Sequence, residues 1–302
     1  MNKDFLSLAD WTRDDLEQIF ALTRDLKSRQ QRGEPHRLLE GKTLAMIFEK
    51  SSTRTRVSFE VGMFQLGGHA LFLHSGTTQL GRGEPVKDTA RVMARYCDGI
   101  MIRTFSQAAV AELAHHASVP VINGLTDLYH PCQLMADLFT VSEHKENYRD
   151  LTYAWIGDGN NMANSWINAA AVFGFKLQIA TPKGYEPDAV VRQRAAAAGA
   201  QIVYSNDPFA AAAGADVLNT DVWASMGQEA EQKEREQAFA GFQINGAIVR
   251  AAAADAIVLH CLPAHRGEEI SDEVIEGPHS VVFDEAENRL HVQKAIMATL
   301  MA

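Results

Sequence analysis

The sequence predicts an α/β protein with two parallel-sheet domains that are linked by helices. Short apolar runs typical of strands alternate with alanine-rich helical stretches along the 302 residues. Such alternation indicates parallel sheets that are covered by helices on both faces. The runs fall into two series, which a helical segment over Pro131–His144 separates. We therefore expect a first domain over residues 1–133, to which a C-terminal helix at about 286–302 returns, and a second domain over residues 134–285.

A first amphipathic helix is predicted over Trp11–Lys27, because apolar side chains recur there at steps of three and four residues and Thr12 with Asp15 can cap its start. The predicted strands of the first domain are Thr43–Phe48, His69–Leu73, Gly99–Arg103 and Pro120–Asn123. Those of the second domain are Thr152–Ile156, Lys176–Thr181, Gln201–Tyr204, Asp216–Asn219, Ala256–Cys261 and Ser280–Phe283. Open α/β sheets bind ligands beyond the carboxyl ends of their strands, so polar residues at those ends are candidates for a site.

Composition and charge exclude several classes of function. The formal net charge is −10, so the arginine clusters are local features of an acidic body, and small anionic substrates are expected rather than nucleic acid. Cys97, Cys132 and Cys261 lack the spacing of a disulfide framework or a zinc ribbon, which suits a reducing cytosol. No apolar run has transmembrane length and no signal-peptide pattern is present. We expect a cytoplasmic protein without a membrane partner.

The stretch Phe48–Arg56 is the most informative part of the chain. A strand-like run ends there in hydroxyl and guanidinium side chains, and a helix-like run follows from Val57. This order brings backbone N–H groups, hydroxyls and guanidiniums to the start of a helix, which favours the binding of a phosphate or another compact oxyanion. No Walker loop is present. By itself the segment is equally consistent with a helix cap beside solvated arginines.

Five further polar clusters lie at the ends of predicted strands: Met101–Phe105, His130–Gln133, Gly157–Asn161, Thr220–Gly227 and His260–Gly267. Taken singly, Arg103 could be a surface charge, His130 a turn histidine and Cys261 a buried thiol. Their recurrence at one edge of the predicted sheets favours a ligand site. No nucleophile–base pair and no metal-ligand spacing stands out. The set therefore suits the positioning of substrates and the stabilisation of oxyanion charge, with no metal or organic cofactor.

The pair Gly157 and Gly159 also permits a dinucleotide-binding interpretation. The full G-x-G-x-x-G pattern is absent, however, because Met162 and Ala163 follow the asparagines. The strand that ends at Thr181 is followed by no acidic residue that could hold a ribose hydroxyl. The adjacent amide side chains instead suit a zwitterionic or amino-acid ligand.

Five motifs occur in a fixed order across residues 3–300: S-T-R-T-R, H-P-C-Q, D-G-N-N, D-x-x-x-S-M-G and H-C-L-P. In this combination the chain resembles the aspartate/ornithine carbamoyltransferase family. The resemblance implies transfer of the carbamoyl group of carbamoyl phosphate to the δ-amine of L-ornithine, which gives L-citrulline and phosphate, by default in arginine biosynthesis. It further implies direct attack without a covalent enzyme intermediate, and a homotrimer or an assembly of trimers with active sites at the interfaces.

The resemblance also implies roles for individual residues. Carbamoyl phosphate would be bound by Ser52, Thr53, Arg54, Thr55, Arg103, His130, Pro131, Cys132, Gln133, Cys261, Leu262 and Arg289, with Gln79 reaching the site of a neighbouring subunit. L-Ornithine would be bound by Asn161, Asp221, Ser225 and Met226. The residues expected to take part in catalysis are Arg54, Thr55, Arg103, His130 and Cys261.

The residues themselves favour an acceptor that carries an ammonium group. An aspartate-using relative would need several cations to hold two carboxylates, whereas the segment 221–236 contains five acidic residues against Lys233 and Arg235. Three alternatives stay open at this point. They are a carbamoyltransferase for another amine such as putrescine or N-acetylornithine, a nicotinamide-dependent oxidoreductase, and a catalytically silent anion-binding oligomer.

Overall fold

The computed structural model describes residues 3–77, 83–224 and 231–302. The chain divides into two compact units: unit 1 consists of Met1–Met135 and Asn288–Ala302, and unit 2 consists of Ala136–Glu287. Gln79, Ser225 and Met226 lie outside the described residues.

Unit 1 contains a four-stranded parallel sheet of strand order β2-β1-β3-β4. Its strands are β1 (Thr43–Phe48), β2 (His69–His74), β3 (Gly99–Arg103) and β4 (Val121–Leu125). Its helices include α1 (Arg13–Gln31), α2 (Thr53–Gln65), α3 (Val86–Met93) and α4 (Gln107–His116). The interior strand β3 is buried along its whole length, whereas the edge strand β2 is largely exposed. The predicted α/β class and parallel sheet are confirmed for this unit.

Helix α1 begins as its capping pair predicts. The Asp15 backbone N–H donates to the Thr12 hydroxyl at 3.2 Å, and that hydroxyl donates to the Asp15 carboxylate at 2.8 Å. The first bond satisfies one of the backbone N–H groups that a helix start otherwise leaves without a partner, and the second holds the Thr12 side chain in place. Leu16, Ile19 and Phe20 form the buried face. The helix extends to Gln31, beyond the predicted end at Lys27.

Unit 2 contains a five-stranded parallel sheet of strand order β7-β6-β5-β8-β9. Its strands are β5 (Thr152–Ile156), β6 (Lys176–Ala180), β7 (Ile202–Ser205), β8 (Val217–Thr220) and β9 (Ile257–His260). Its helices include α6 (Asn161–Phe173), α7 (Ala189–Ala197), α8 (Pro208–Ala212), α9 (Gln232–Ala238), α10 (Gly246–Ala251) and α11 (Asp272–Ile275). Two more helices, α5 (Pro131–His144) and α12 (Val282–Met301), contain the divisions between the units.

The predicted strand Ser280–Phe283 is wrong. Ser280 makes a single parallel bridge to Val258, and helix α12 begins at Val282. The acidic residues Asp284 and Glu285 in the first turn stabilise a helix start, because its free N–H groups carry partial positive charge. The apolar pair Val281 and Val282 is therefore the entry to a helix. Among the described residues, no helix combines the length and apolar character that a membrane crossing requires.

Candidate active site

The start of helix α2 presents the S-T-R-T-R segment. Ser52 is the N-cap, and its hydroxyl accepts the Thr55 backbone N–H at 3.3 Å. The Ser52 and Thr55 hydroxyls are bonded to each other at 3.1 Å, and the Thr55 side chain is buried. Thr53 and Arg54 are exposed at the same helix end. The segment therefore combines a helix N-terminus with hydroxyl and guanidinium groups, as the oxyanion interpretation requires.

Arg289 connects three segments that are far apart in the sequence. This residue of α12 is buried, and its guanidinium donates to the Gln133 side-chain oxygen at 2.5 Å and to the Thr55 hydroxyl at 3.3 Å. Gln133 lies in the first turn of α5, two residues after Pro131. A buried guanidinium that bonds both side chains holds the S-T-R-T-R and H-P-C-Q motifs in one arrangement.

His130 lies in a buried, positively charged environment. Burial lowers the pKa of its imidazole well below the usual value, and the nearby Arg289 and Arg103 lower it further. Arg103 is the last residue of β3, and its side chain is buried as well. The imidazole is consequently neutral at physiological pH. In this form it can donate a hydrogen bond from its ring N–H to a developing oxyanion, and it does not act as an imidazolium acid.

The side chain of Cys132 faces the interior of unit 1. Its thiol is fully buried and donates to the Asn123 carbonyl at 3.4 Å, and burial raises the pKa of the thiol to about 12. Its neighbour Pro131 occupies the first position of α5. A backbone N–H at that position has no intrahelical partner, so proline costs the helix no hydrogen bond there. A contact of Cys132 with a ligand would therefore use its backbone.

In unit 2 the central group is the Asp221 carboxylate, which follows β8. Its Oδ2 accepts from the Asn160 amide at 3.0 Å, and its Oδ1 accepts from the Val222 backbone N–H at 2.8 Å and from the Cys261 thiol at 3.0 Å. Asn160 is also the N-cap of α6, the helix whose first residue is Asn161. Residues of the D-G-N-N, D-x-x-x-S-M-G and H-C-L-P motifs are thereby joined around one buried carboxylate.

Cys261 is held in its protonated form. Burial raises the pKa of the thiol well above its usual value, and the negative charges of Asp221, Glu285 and Asp137 raise it further. Since the thiolate is the nucleophilic form of cysteine, this residue is suited to donating a hydrogen bond and unsuited to covalent catalysis.

Arg235 in α9 is a buried residue whose position the sequence did not reveal. Its guanidinium donates to the Asp158 carboxylate at 3.0 Å and to the Trp223 carbonyl at 2.8 Å. Burial raises the pKa of Asp158 to about 6, although Arg235 acts in the opposite direction. In the sequence Arg235 resembles a solvated charge among acidic neighbours. The only available signal was an arginine shortly after the D-x-x-x-S-M-G motif.

The structure shows why the D-G-N-N motif has a glycine at position 159. A Cβ atom at this position would lie 2.3 Å from the Pro187 nitrogen and 2.4 Å from the Tyr185 carbonyl oxygen. The Gly159 N–H donates to that same carbonyl at 2.9 Å. The glycine is therefore required for the close passage of a neighbouring chain segment, and a pyrophosphate need not be invoked.

Among the described residues, two groups of side chains, both in unit 2, have a geometry that could hold a metal ion. Donor atoms of Asp221, His260 and Cys261 lie within 4.8 Å of one another, as do those of His265, Glu268 and Glu269. In the first group the His260 ring is already engaged, since Nδ1 accepts from the Leu262 N–H and Nε2 bonds Glu269, each at 2.9 Å. Asp221 is engaged in the same way by Asn160 and Val222. Internal hydrogen bonds thus account for the arrangement of the first group.

Comparisons with known proteins decide the family. Residues 3–143 match the model of the aspartate/ornithine carbamoyltransferase carbamoyl-P binding domain, and residues 149–300 match the model of the Asp/Orn binding domain of the same family. The chain belongs to the aspartate/ornithine carbamoyltransferase family.

Members of this family resemble the chain over its whole length. It is 72% identical to the ornithine carbamoyltransferase of Syntrophotalea carbinolica, with 100% of both chains covered. The solved ornithine carbamoyltransferase from Pyrococcus furiosus is 52% identical, with a TM-score of 0.94 over 99% of this chain and 96% of that one. The anabolic ornithine carbamoyltransferase from Campylobacter jejuni is 45% identical, with a TM-score of 0.93 and 99% of each chain covered. The similarity to these solved structures over almost the whole chain confirms the predicted fold class, an α/β protein with two parallel-sheet domains.

Proposed function

We propose that this carbamoyltransferase transfers the carbamoyl group of carbamoyl phosphate to the δ-amine of L-ornithine, which yields L-citrulline and phosphate. The observation that carries the proposal is the buried Arg289, which bonds Thr55 and Gln133 beside a neutral His130. Buried cations beside hydroxyl and amide groups suit a substrate with a phosphate and a polarisable carbonyl. The high identity to ornithine carbamoyltransferases supports the choice of acceptor.

The proposed carbamoyl-phosphate-binding domain covers residues 1–133 and about 286–302, and unit 1 corresponds to it within a few residues. The phosphate is bound by the start of α2 through Ser52, Thr53, Arg54 and Thr55, where backbone N–H groups and a guanidinium are available. The carbonyl oxygen and the amide are oriented by Arg103, His130, Gln133 and Arg289, with Pro131 and Cys132 contributing backbone contacts. The positive environment that lowers the pKa of His130 supports this assignment, because the same charges stabilise an anionic ligand.

The proposed ornithine-binding domain covers residues 134–285, and unit 2 corresponds to it within a few residues. The Asp221 carboxylate binds the α-ammonium group of the amino acid, together with Asn161 and with Ser225 and Met226, which lie outside the described residues. Cys261 and Leu262 contact the reacting amine and the carbamoyl group. A buried carboxylate that is bonded by the neutral donors Asn160 and Cys261 keeps its negative charge available to a cation, which supports this role.

The reaction is a direct displacement. A free alkylamine has a pKa of ~10.4, so the δ-ammonium group must lose its proton before it can attack, and desolvation beside the guanidiniums lowers that pKa. The nitrogen lone pair forms a bond to the carbonyl carbon, and Arg54, Thr55, Arg103 and His130 stabilise the tetrahedral oxyanion. The bond from that carbon to the phosphate oxygen then breaks, and the departing phosphate accepts the second amine proton. No covalent enzyme intermediate is required, in keeping with the protonated Cys261.

The same proposal includes a homotrimer, or an assembly of trimers, in which Gln79 completes the site of a neighbouring subunit. An exposed apolar surface on α2 and the edge strand β2 supports it: Phe64 is 80% exposed, Val57 49% and Leu71 39%. A patch of this kind on an edge strand suits burial against another subunit. Mixing Gln79→Ala and Arg103→Ala subunits should restore activity, because some shared sites then contain both native residues. No recovery would restrict each site to a single chain.

We place the enzyme in the cytoplasm and in arginine biosynthesis. A relative described as anabolic supports the biosynthetic direction.

The test of the function is the formation of a ureido product from carbamoyl phosphate and each member of a panel of L-ornithine, N-acetylornithine, putrescine and L-aspartate. We expect strong turnover with L-ornithine alone. Turnover with another amine would support the carbamoyl phosphate site in unit 1 and would reject the proposed recognition of ornithine by Asp221. Absence of any ureido product from a folded, oligomeric sample would reject the function altogether.

A further inference from the structure

We propose that Glu269 is a positioning residue for the H-C-L-P segment and that it acts through the buried His260 on the backbone of Leu262. The inference rests on the proposed placement of Cys261 and Leu262 beside the reacting groups. Glu269 itself follows the motif and belongs to none of the residues assigned to the substrates. It lies eight residues beyond Cys261 in the sequence.

The hydrogen bonds of His260 determine the tautomer of its ring. The Leu262 backbone N–H donates to Nδ1 at 2.9 Å, and a backbone N–H can only donate. Nδ1 therefore carries no proton, and the proton of the neutral ring is on Nε2, which donates to the Glu269 carboxylate at 2.9 Å. The His260 ring is fully buried. A change of tautomer would break both bonds at once. A protonated Nδ1 would then meet the Leu262 N–H, and an unprotonated Nε2 would meet the Glu269 carboxylate.

Glu269 is suited to enforcing that tautomer. Its carboxylate is fully buried and accepts hydrogen bonds without donating any, so it holds the proton of the ring on Nε2. The same oxygen, Oε1, also accepts from the His265 backbone N–H at 2.7 Å. One carboxylate thus connects the beginning of the segment 260–269 to its middle. The His260 backbone N–H is fixed separately by Glu285 at 2.9 Å.

Leu262 is the residue that needs this support. Its φ of 55° lies in the left-handed region, which residues with a side chain rarely adopt and which persists where surrounding contacts impose it. The bond from its N–H to His260 is the contact that reaches this backbone directly. A loss of Glu269 should free the ring to reorient, and the backbone beside Cys261 should shift with it. Displacements of about 1 Å at a reacting centre are enough to reduce turnover on the order of 10²-fold.

The test uses Glu269→Ala, with Glu269→Gln as the conservative variant and Glu268→Ala as the matched control. Glu268 is the adjacent carboxylate, and its side chain is half-buried and near the His265 ring. We expect Glu269→Ala to lower kcat about 10- to 100-fold, with both KM values changed by less than about threefold. Glu269→Gln keeps an acceptor oxygen and should recover most of kcat. Glu268→Ala should leave kcat within about twofold of the wild type.

A second substitution tests whether Glu269 acts through His260. Asparagine at this position can accept the Leu262 N–H through an Asx turn, which bonds the backbone two residues on, and it cannot reach Glu269. We therefore expect His260→Asn to keep part of the activity and His260→Asn/Glu269→Ala to have the same kcat as His260→Asn alone. These variants also supply an answer where Glu269→Ala fails to fold.

Three results would overturn the inference. One is a kcat of Glu269→Ala equal to that of the wild type. Another is additivity of the two substitutions, which would mean that Glu269 does not act through His260. The third is a loss in Glu269→Gln as large as in Glu269→Ala. Failure of the proposed function is distinguishable, because the wild type would then form no citrulline, whereas failure of the inference leaves wild-type turnover intact.

Discussion

Unit 1 and unit 2 share a parallel α/β architecture but bury opposite charges at the ends of their strands. In unit 1, Arg103 and Arg289 surround an imidazole that stays neutral. In unit 2, the Asp221 carboxylate is bonded by the neutral donors Asn160 and Cys261. The shared architecture therefore does not determine which ligand a unit binds. The sign of the buried charge determines the ligand. An anion suits the first unit and an ammonium group suits the second.

The largest effect should come from removing a cation of unit 1. Arg103→Ala should lower the rate of citrulline formation on the order of 10²- to 10³-fold, because the tetrahedral oxyanion loses a charged donor. Carbamoyl phosphate binding, measured by calorimetry, should weaken as well, whereas ornithine-independent properties such as the melting temperature should change little. Near-normal turnover would show that the buried guanidinium has only a structural role. Arg91→Ala, at an exposed position on α3, is the control.

The reverse charge in unit 2 predicts a selective defect. Asp221→Asn should raise the KM for ornithine roughly 30- to 100-fold, since the partner of the ammonium group is lost, while carbamoyl phosphate binding stays near the wild-type value. The measurement is a pair of saturation curves, one for each substrate. Equal damage to both substrates would indicate a folding role for Asp221 and remove the contrast between the units.

The neutral His130 predicts a pH dependence of stability. Its pKa in the folded state is lowered well below the value of about 6.5 that it has when unfolded, so below that pH only the unfolded chain binds the proton. The contribution of the neutral His130 to the free energy of unfolding is fully present above about pH 6.5 and is lost as the pH falls below that value. Between pH 7.5 and 5.5 the wild type should lose about 1.4 kcal/mol more than His130→Gln.

The check for His130 is urea unfolding of both proteins at the two pH values. His291, whose pKa is lowered to about 3, contributes with the same sign in both proteins and cancels in the comparison. His115→Gln, at an exposed position on α4, is the control substitution. An equal pH slope for His130→Gln and the wild type would contradict the buried, neutral imidazole.

The smallest effect is expected at Cys261. Cys261→Ser keeps a donor to Asp221 in a slightly shorter side chain, so the KM for ornithine should rise about three- to tenfold with the fold preserved. Cys97→Ser, a buried thiol of unit 1 outside the proposed site, serves as the control. Unchanged ornithine kinetics would assign Cys261 to packing, the interpretation that the sequence alone left open.

The sequence predicted the strands well where they are central. β1 and β5 have the predicted bounds because near-continuous apolar runs of that length fit a doubly covered sheet. Helix α5 also has its predicted bounds, Pro131–His144. Ser280–Phe283 failed because a short apolar run cannot by itself distinguish a strand from the entry to a helix, and only the packing beside Val258 decides it.

The sequence predicted which motifs form the candidate site, but it did not predict how their side chains are arranged. A motif states which residues are present, but it does not state which way each side chain points, so the inward-facing thiol of Cys132 could not be foreseen. The bonds of Arg289 to Thr55 and Gln133 join positions that are widely separated in the chain. The buried contacts of Glu269 have no local sequence pattern, and the only signal for those of Arg235 is its place shortly after the D-x-x-x-S-M-G motif.

Unit 1 is discontinuous in the sequence, and this has a consequence for synthesis. Its last segment, 288–302, carries Arg289 and the buried Lys294, whose Nζ lies 3.1 Å from the His36 ring. During translation, at about 5–20 residues per second, the first 135 residues emerge on the order of ten seconds or more before that segment does. Unit 2 is continuous and can fold while unit 1 still lacks its final helix. The half of the enzyme that is made first is therefore finished last, and a chain that ended before residue 288 would lack the arginine that joins the S-T-R-T-R and H-P-C-Q motifs.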